Sequence, residues 1–80
     1  MRYFLELVLQ RLVDHPEEID VRQVDGDRHV AFHVSVHPDD VGKVIGKSGR
    51  TINAIRGVLN AVAARQDQRV SVELFDNAAA

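Results

Sequence analysis

Apolar residues recur along the chain with two different periods, and each change of period marks an element. Leu5, Val8, Leu9 and Leu12 stand at helical spacing and predict a helix over 2–14, with Tyr3 and Leu7 on its opposite side. Pro16 ends that helix and Glu17-Glu18 connects onward. Ile19 and Val21 alternate as a strand running to Val24, which breaks the phase and predicts a bulge or the strand end there. Asp25-Gly26-Asp27 reads as a hairpin turn, because Asp-Gly supplies the positive φ angles such turns need. Residues 29–36 alternate cleanly: Val30, Phe32, Val34 and Val36 point one way, His29, Ala31, His33 and Ser35 the other. His37-Pro38-Asp39-Asp40 opens a second helix, with proline at its first position and the two acids at its positive end. That helix is short, with Val41, Val44 and Ile45 as its apolar side and Gly46 as its stop. A longer helix runs from Gly49 to about Gln66 on a buried face of Ile52, Ile55, Leu59, Val62 and Ala63. Arg69 to Phe75 alternates again, with Val70, Val72 and Leu74 inward.

The order is therefore helix-strand-strand-helix-helix-strand. The first two strands make an antiparallel hairpin. The third returns after a crossover of about 33 residues, a length that favours a parallel, right-handed connection. The expected fold class is α+β: a three-stranded mixed sheet with helices packed on one face and a semi-polar, exposed second face. With 80 residues, the chain makes one domain, its ordered core over about 3–75 and a frayed tail over 76–80. So small a domain has room for one core and no deep catalytic cleft. Absence of cysteine excludes disulfides, thiolate catalysis and cysteine zinc sites. No secretory leader and no membrane span are read, so a cytoplasmic location is expected.

Charge changes the picture. The net charge is −2, yet residues 1–40 carry 4 basic and 9 acidic side chains while 41–80 carry 6 and 3. Between 41 and 66 stand Lys43, Lys47, Arg50, Arg56 and Arg65 with no acid among them. Binding answers to the local field more than to the total. In the middle of this stretch lies Val44-Ile45-Gly46-Lys47-Ser48-Gly49-Arg50-Thr51-Ile52-Asn53-Ala54-Ile55, two glycines flanking two polar residues between two helices. Gly46 can close the first helix in a left-handed conformation. Gly49 opens the next without a Cβ to obstruct a sugar-phosphate backbone. The main-chain amides of the turn, and the first N–H groups of the following helix, lack partners within it and face an anion with a positive dipole end. Lys47 adds a mobile charge, Ser48 a hydroxyl, Arg50 a reach to the next phosphate, and Lys43 flanks the turn one helical turn earlier. The spacing is not that of a Walker A loop, and the turn follows a helix, which excludes a dinucleotide fingerprint.

Ile45, Gly46, Gly49, Ile52 and Ile55 meet the pattern Ile-Gly-x-x-Gly-x-x-Ile-x-x-Ile, and at these residues the chain resembles the KH domain family of single-stranded nucleic-acid binders. The element order resembles the family's type II arrangement, and the length that of the small stand-alone KH proteins of bacteria. The likeness covers about residues 3–75. It implies a non-catalytic protein, an accessory or chaperone-like factor in bacterial RNA metabolism, whose glycine turn clamps the backbone of single-stranded RNA. By residue, Gly46, Lys47, Ser48 and Gly49 are the implied clamp, with Lys43, Arg50 and Asn53 beside it and Ile45 and Ile52 as core or groove floor. The likeness also implies a homodimer, or a heterodimer with a second KH-containing protein, since two clamps raise avidity. No cofactor, metal, membrane or small-molecule substrate is implied. The net acidity, and the lack of an aromatic near the turn, predict modest and strongly salt-dependent affinity. The alternative is a KH-fold protein-interaction module with weak RNA affinity. It is motivated by the acidic first half and by the small residues Ala54, Gly57 and Ala61, with Tyr3 and Leu7 as further surface.

Two other patterns are read as structural. His29, His33 and His37 recur every four residues on the exposed side of the sheet, where that spacing spans about 13 Å, too far to share one ion. His15 is a helix-end residue. The pairs Glu17-Glu18 and Asp39-Asp40 adjoin prolines at element boundaries and are read as solvated capping acids, not catalytic pairs.

Overall fold

The computed structural model describes residues 1–79. Helix α1 spans Arg2–Leu12, strand β1 Asp20–Gly26, β2 His29–Val36, helix α2 Val41–Ile45, α3 Arg50–Ala64, and β3 Arg69–Asp76. Short 3-10 turns lie at Pro16–Glu18, Pro38–Asp40, Lys47–Gly49 and Asn77–Ala79. The sheet order is β1-β2-β3, antiparallel between the first pair and parallel between the second. This is the expected α+β, type II KH arrangement. Central β2 buries Val30, Phe32, Val34 and Val36 against Leu5 and Leu9 of α1, Val44 of α2, and Ile52, Ile55, Leu59 and Ala63 of α3. The period of two in β2 and the helical period in α3 each survive folding because each element has one wet side and one dry side.

Several boundaries differ from the sequence reading. Helix α1 stops at Leu12, well before Pro16, because the N–H groups of Asp14 and His15 turn away to the carboxylate of Asp40. No bulge or strand end occurs at Val24: β1 pairs without interruption from Asp20↔Ser35 to Gly26↔His29, and Val24 lies on the outer face. The hairpin turn is Asp27-Arg28, with Arg28 at φ 58°, and Gly26 sits in the strand. Burial decides this register. A loop over Asp25–Asp27 would set Val21 opposite outward-facing Ala31; the observed register sets it opposite inward-facing Val34. Val62 is exposed, not buried, since it stands on the rim of the α3 stripe beside Val58, where no described element packs over it. Asp76 ends β3, Asn77–Ala79 form a turn, and Asn77 Nδ2 donates to the Glu18 side chain at 3.2 Å. Ala80 lies outside the described residues.

The far end of α3 is tied to the hairpin. Asp67 takes a left-handed φ of 57°, a conformation aspartate tolerates, and its carboxylate meets Arg28 at 3.2 Å. The N–H of Arg69 donates to the Arg28 carbonyl at 3.0 Å, which starts β3 in register. The outer edge of β3 is covered by α3 side chains. Asn60 Oδ1 accepts from the Val70 N–H at 2.9 Å, its Nδ2 donates to the Val70 carbonyl at 3.0 Å, and Arg56 donates to the Val72 carbonyl at 2.8 Å. Side chains thus stand where a fourth strand would pair, which blunts an edge otherwise open to another chain.

Candidate nucleic-acid interface

The turn between α2 and α3 is built from three departures from helical backbone within four residues. Gly46 has φ 76° and ψ 172°, Ser48 φ 57° and ψ 26°, and Gly49 φ 76° and ψ 11°. The left-handed glycine is Gly49, where the sequence reading asked only for a missing Cβ. Gly46 is not left-handed: its ψ puts it in a region that is essentially restricted to glycine. Packing imposes a second demand at Gly46, since a Cβ there would lie 2.2 Å from Thr51 Oγ1 and 2.9 Å from Thr51 N. At Gly49 a Cβ would meet only Asn53 Nδ2, at 3.5 Å. Thr51, which sequence reasoning passed over, is therefore the residue that fills the space beside Gly46 and bars a side chain there, and no local sequence signal marks it.

The expectation of amides bare from Gly46 through Gly49 needs narrowing. The Gly46 N–H donates to the Gly42 carbonyl at 2.9 Å, and the Gly49 N–H to the Gly46 carbonyl at 3.2 Å. The N–H groups of Lys47 and Ser48 find no partner among the described residues, and both residues are exposed. Helix α3 begins with no side-chain cap; the N–H of its first residue, Arg50, donates to the Lys47 carbonyl, and the positive end of the helix dipole lies at the turn. Lys47 and Arg50 are exposed and form no ion pair among the described residues. The turn therefore presents two free amides, two mobile cations and one hydroxyl on a surface without a carboxylate of its own.

Other expected site residues separate into distinct roles. Ile52 is buried core, whereas Ile45 is partly exposed beside the turn. Asn53 is exposed one turn into α3. Lys43 does not flank the turn as a free charge. Its ammonium pairs with Asp14 and, at 3.3 Å, with Asp40, and these two carboxylates raise its pKa against the opposing effect of desolvation. Arg56, counted with the basic stretch, is spent on the Val72 carbonyl.

Lys43 belongs to a cluster that joins α1 to α2. Asp40, expected as a solvated capping acid, is fully buried. Its carboxylate accepts from the N–H groups of Asp14 at 3.2 Å and His15 at 3.0 Å, and pairs with His15 Nδ1 at 3.1 Å. Burial by itself would raise its pKa; the hydrogen bonds from Asp14, His15 and Lys43 outweigh that and hold it near 2. The His15 imidazole is shifted the other way, upward, chiefly by its bond to Asp40. His37 is not on the sheet face. It stacks on His15 at 4.0 Å and accepts the Asp39 N–H at 3.0 Å, so it caps the entry to α2.

His15 gives a pH dependence with a definite sign. Its folded pKa lies above the ordinary 6.5, so the stabilisation it supplies is complete below about pH 6.5 and is lost as pH rises through the folded value. The melting temperature of the wild type is expected to fall between pH 6 and pH 8.5 by more than that of a His15→Gln variant. Parallel curves for the two proteins would refute the linkage.

Among the described residues no helix is long and apolar enough to cross a membrane. A family model described as the KhpA/KhpB KH domain matches residues 2–74. The RNA-binding protein KhpA of Chlamydia pneumoniae is 45% identical over 76 residues, covering 95% of this chain and 97% of its own. The proteins of the same name from Halalkalibacterium halodurans and Clostridium acetobutylicum are each 43% identical, over 76 and 75 residues, and are covered over 100% of their length. No solved structure matches the chain.

Proposed function

The chain belongs to the KhpA/KhpB KH-domain family, and from that premise we propose that it binds single-stranded RNA by gripping the phosphate backbone at Gly46-Lys47-Ser48-Gly49. The curated relatives are named RNA-binding proteins, which supports the ligand. The observation that carries the clamp is the pairing of free Lys47 and Ser48 amides with the unpaired cations Lys47 and Arg50. An extended phosphate chain satisfies both at once, because amides fix the geometry and the cations displace counterions. The bond-forming groups are donors and charges; none is arranged as a nucleophile with a base, so the action is binding without catalysis. We assign the protein an accessory, chaperone-like part in bacterial RNA metabolism.

The test is the double substitution Lys47→Asp with Ser48→Asp. Aspartate tolerates the left-handed backbone at position 48, so the fold is retained. RNA affinity is expected to fall at least about tenfold, and the slope of log affinity against log salt to shrink by about one. A folded variant with unchanged affinity and slope would show that the turn is not the clamp.

A second reading, a module that acts through a protein partner, is favoured by apolar side chains left exposed: Tyr3, Phe4 and Leu7 on α1, Val58 and Val62 on α3. A second KH unit, as a homodimer or heterodimer, would lengthen the RNA contact. Sedimentation with and without RNA separates the readings: assembly that leaves RNA affinity unmoved favours the partner-only role.

A further inference from the structure

Beside the clamp, two side chains of α3 form a chain of contacts that the backbone grip does not need. Arg56 donates through Nε at 3.3 Å and through its second terminal nitrogen at 2.8 Å to one acceptor, the Val72 carbonyl on the edge of β3. This two-pronged bond fixes the plane of the guanidinium. Its remaining terminal nitrogen then faces Asn53 Oδ1 at 3.5 Å. Arginine carries donors only, so the Asn53 atom that faces it is the carbonyl oxygen and the amide nitrogen points the other way. That nitrogen lies 3.5 Å from where a Cβ on Gly49 would be, in the space that the glycine leaves open. Asn53 Nδ2 has no acceptor among the described residues. A donor pair is therefore held, oriented and unspent, against the second glycine of the turn.

We propose that Asn53 reads the base of the nucleotide held at Gly49, donating from Nδ2 to an acceptor on the base edge, and that Arg56 is its positioning residue. The assignment rests on the RNA-binding reading above. A backbone clamp is indifferent to sequence, and phosphate contacts position without specifying. An amide donor distinguishes bases by whether an acceptor stands opposite it, and a mismatched donor leaves both groups unpaired. Arg56 serves this by locking the amide against rotation, which would otherwise present oxygen as readily as nitrogen.

The experiment measures binding of labelled single-stranded homopolymers of U, C and A to wild type, Asn53→Ala and Arg56→Lys at two salt concentrations, with thermal melts of each. Wild type is expected to prefer one base. Asn53→Ala is expected to lose about fivefold affinity for that base and little for the others, with an unchanged salt slope and melting temperature. Arg56→Lys keeps the charge but not the two-pronged bond, so it is expected to flatten the preference in the same way while melting lower. A structural role alone would not change the ranking of bases. Equal weakening toward all three homopolymers in Asn53→Ala, an unchanged ranking, or a wild type without preference overturns this assignment and leaves the clamp standing. A wild type that binds none of the homopolymers overturns the RNA reading and the assignment together.

Discussion

Gly46→Ala is expected to destabilise the fold by about 3 kcal/mol, while Gly49→Ala, three residues away in the same motif, is expected to cost only about 1 kcal/mol. Both positions have φ near 76°, so a reading based on φ alone makes them equivalent. Their surroundings do not. At Gly46 the added Cβ would sit 2.2 Å from Thr51 Oγ1, 2.7 Å from Thr51 Cβ and 2.9 Å from Thr51 N. Rotation of the threonine side chain relieves the first contact and leaves the other two, so the start of α3 has to move. The ψ of 172° adds a backbone cost beyond that of a left-handed residue. At Gly49 the same methyl group meets a flexible side-chain amide at ordinary distance. Total stabilities for a domain of this size run to about 4–12 kcal/mol, so the first substitution removes a large share and the second does not. Denaturant melts of the two variants decide it. Equal losses would mean that crowding by Thr51 does not set position 46 apart.

Asp40→Ala is expected to lower the melting temperature by on the order of 10 °C, the largest effect of any polar substitution in the chain. Removal of this carboxylate leaves the Asp14 and His15 N–H groups without their acceptor and strips both His15 and Lys43 of a counter-charge. The Lys43–Asp14 pair still spans the joint between α1 and α2, but it is exposed and does not replace the lost acceptor of the two N–H groups. Asp40→Asn retains the shape but turns a donor toward groups that are themselves donors, so it is expected to fare little better. The pH dependence distinguishes this account from simple loss of packing. With a folded pKa near 2, below the ordinary 3.8, Asp40 supplies stability that is present above about pH 3.8 and lost as pH falls through 2. His15 supplies stability that is lost in the opposite direction, as pH rises through its elevated value. The cluster therefore supports the fold most between about pH 4 and 6.5, and Asp40→Asn is expected to erase the slope on both sides of that window. A variant that melts lower but keeps the wild-type pH profile would place the loss elsewhere.

The parts legible without coordinates are those where one local rule acts alone. The alternation of Val30, Phe32, Val34 and Val36 names β2 to the residue, since a strand with one dry face has a period of two and nothing else in that stretch competes. Ile52, Ile55, Leu59 and Ala63 name the buried side of α3 for the same kind of reason. Two glycines between two amphipathic helices, in a stretch free of acids, mark the turn. The turn chemistry at Asp25-Gly26 failed where it met a stronger rule, because pairing Val21 with Val34 buries more than a favourable dipeptide turn returns.

Sequence alone thus established the fold class, the order of elements, the faces that are dry and the location of the glycine turn, because each follows from neighbours along the chain. Only the tertiary structure decided which charges are free. Lys43, Arg56 and Lys47 are alike as letters in one basic stretch, yet the first is bound to Asp14 and Asp40, the second to the Val72 carbonyl, and the third to nothing described. Likewise Asp39 and Asp40 are adjacent acids of which one is exposed and the other buried among donors. Such differences depend on groups up to 29 positions distant in the chain, as Asp14 is from Lys43. The free energy of a charge is set by what folding places within a few ångströms of it, and no local pattern records that.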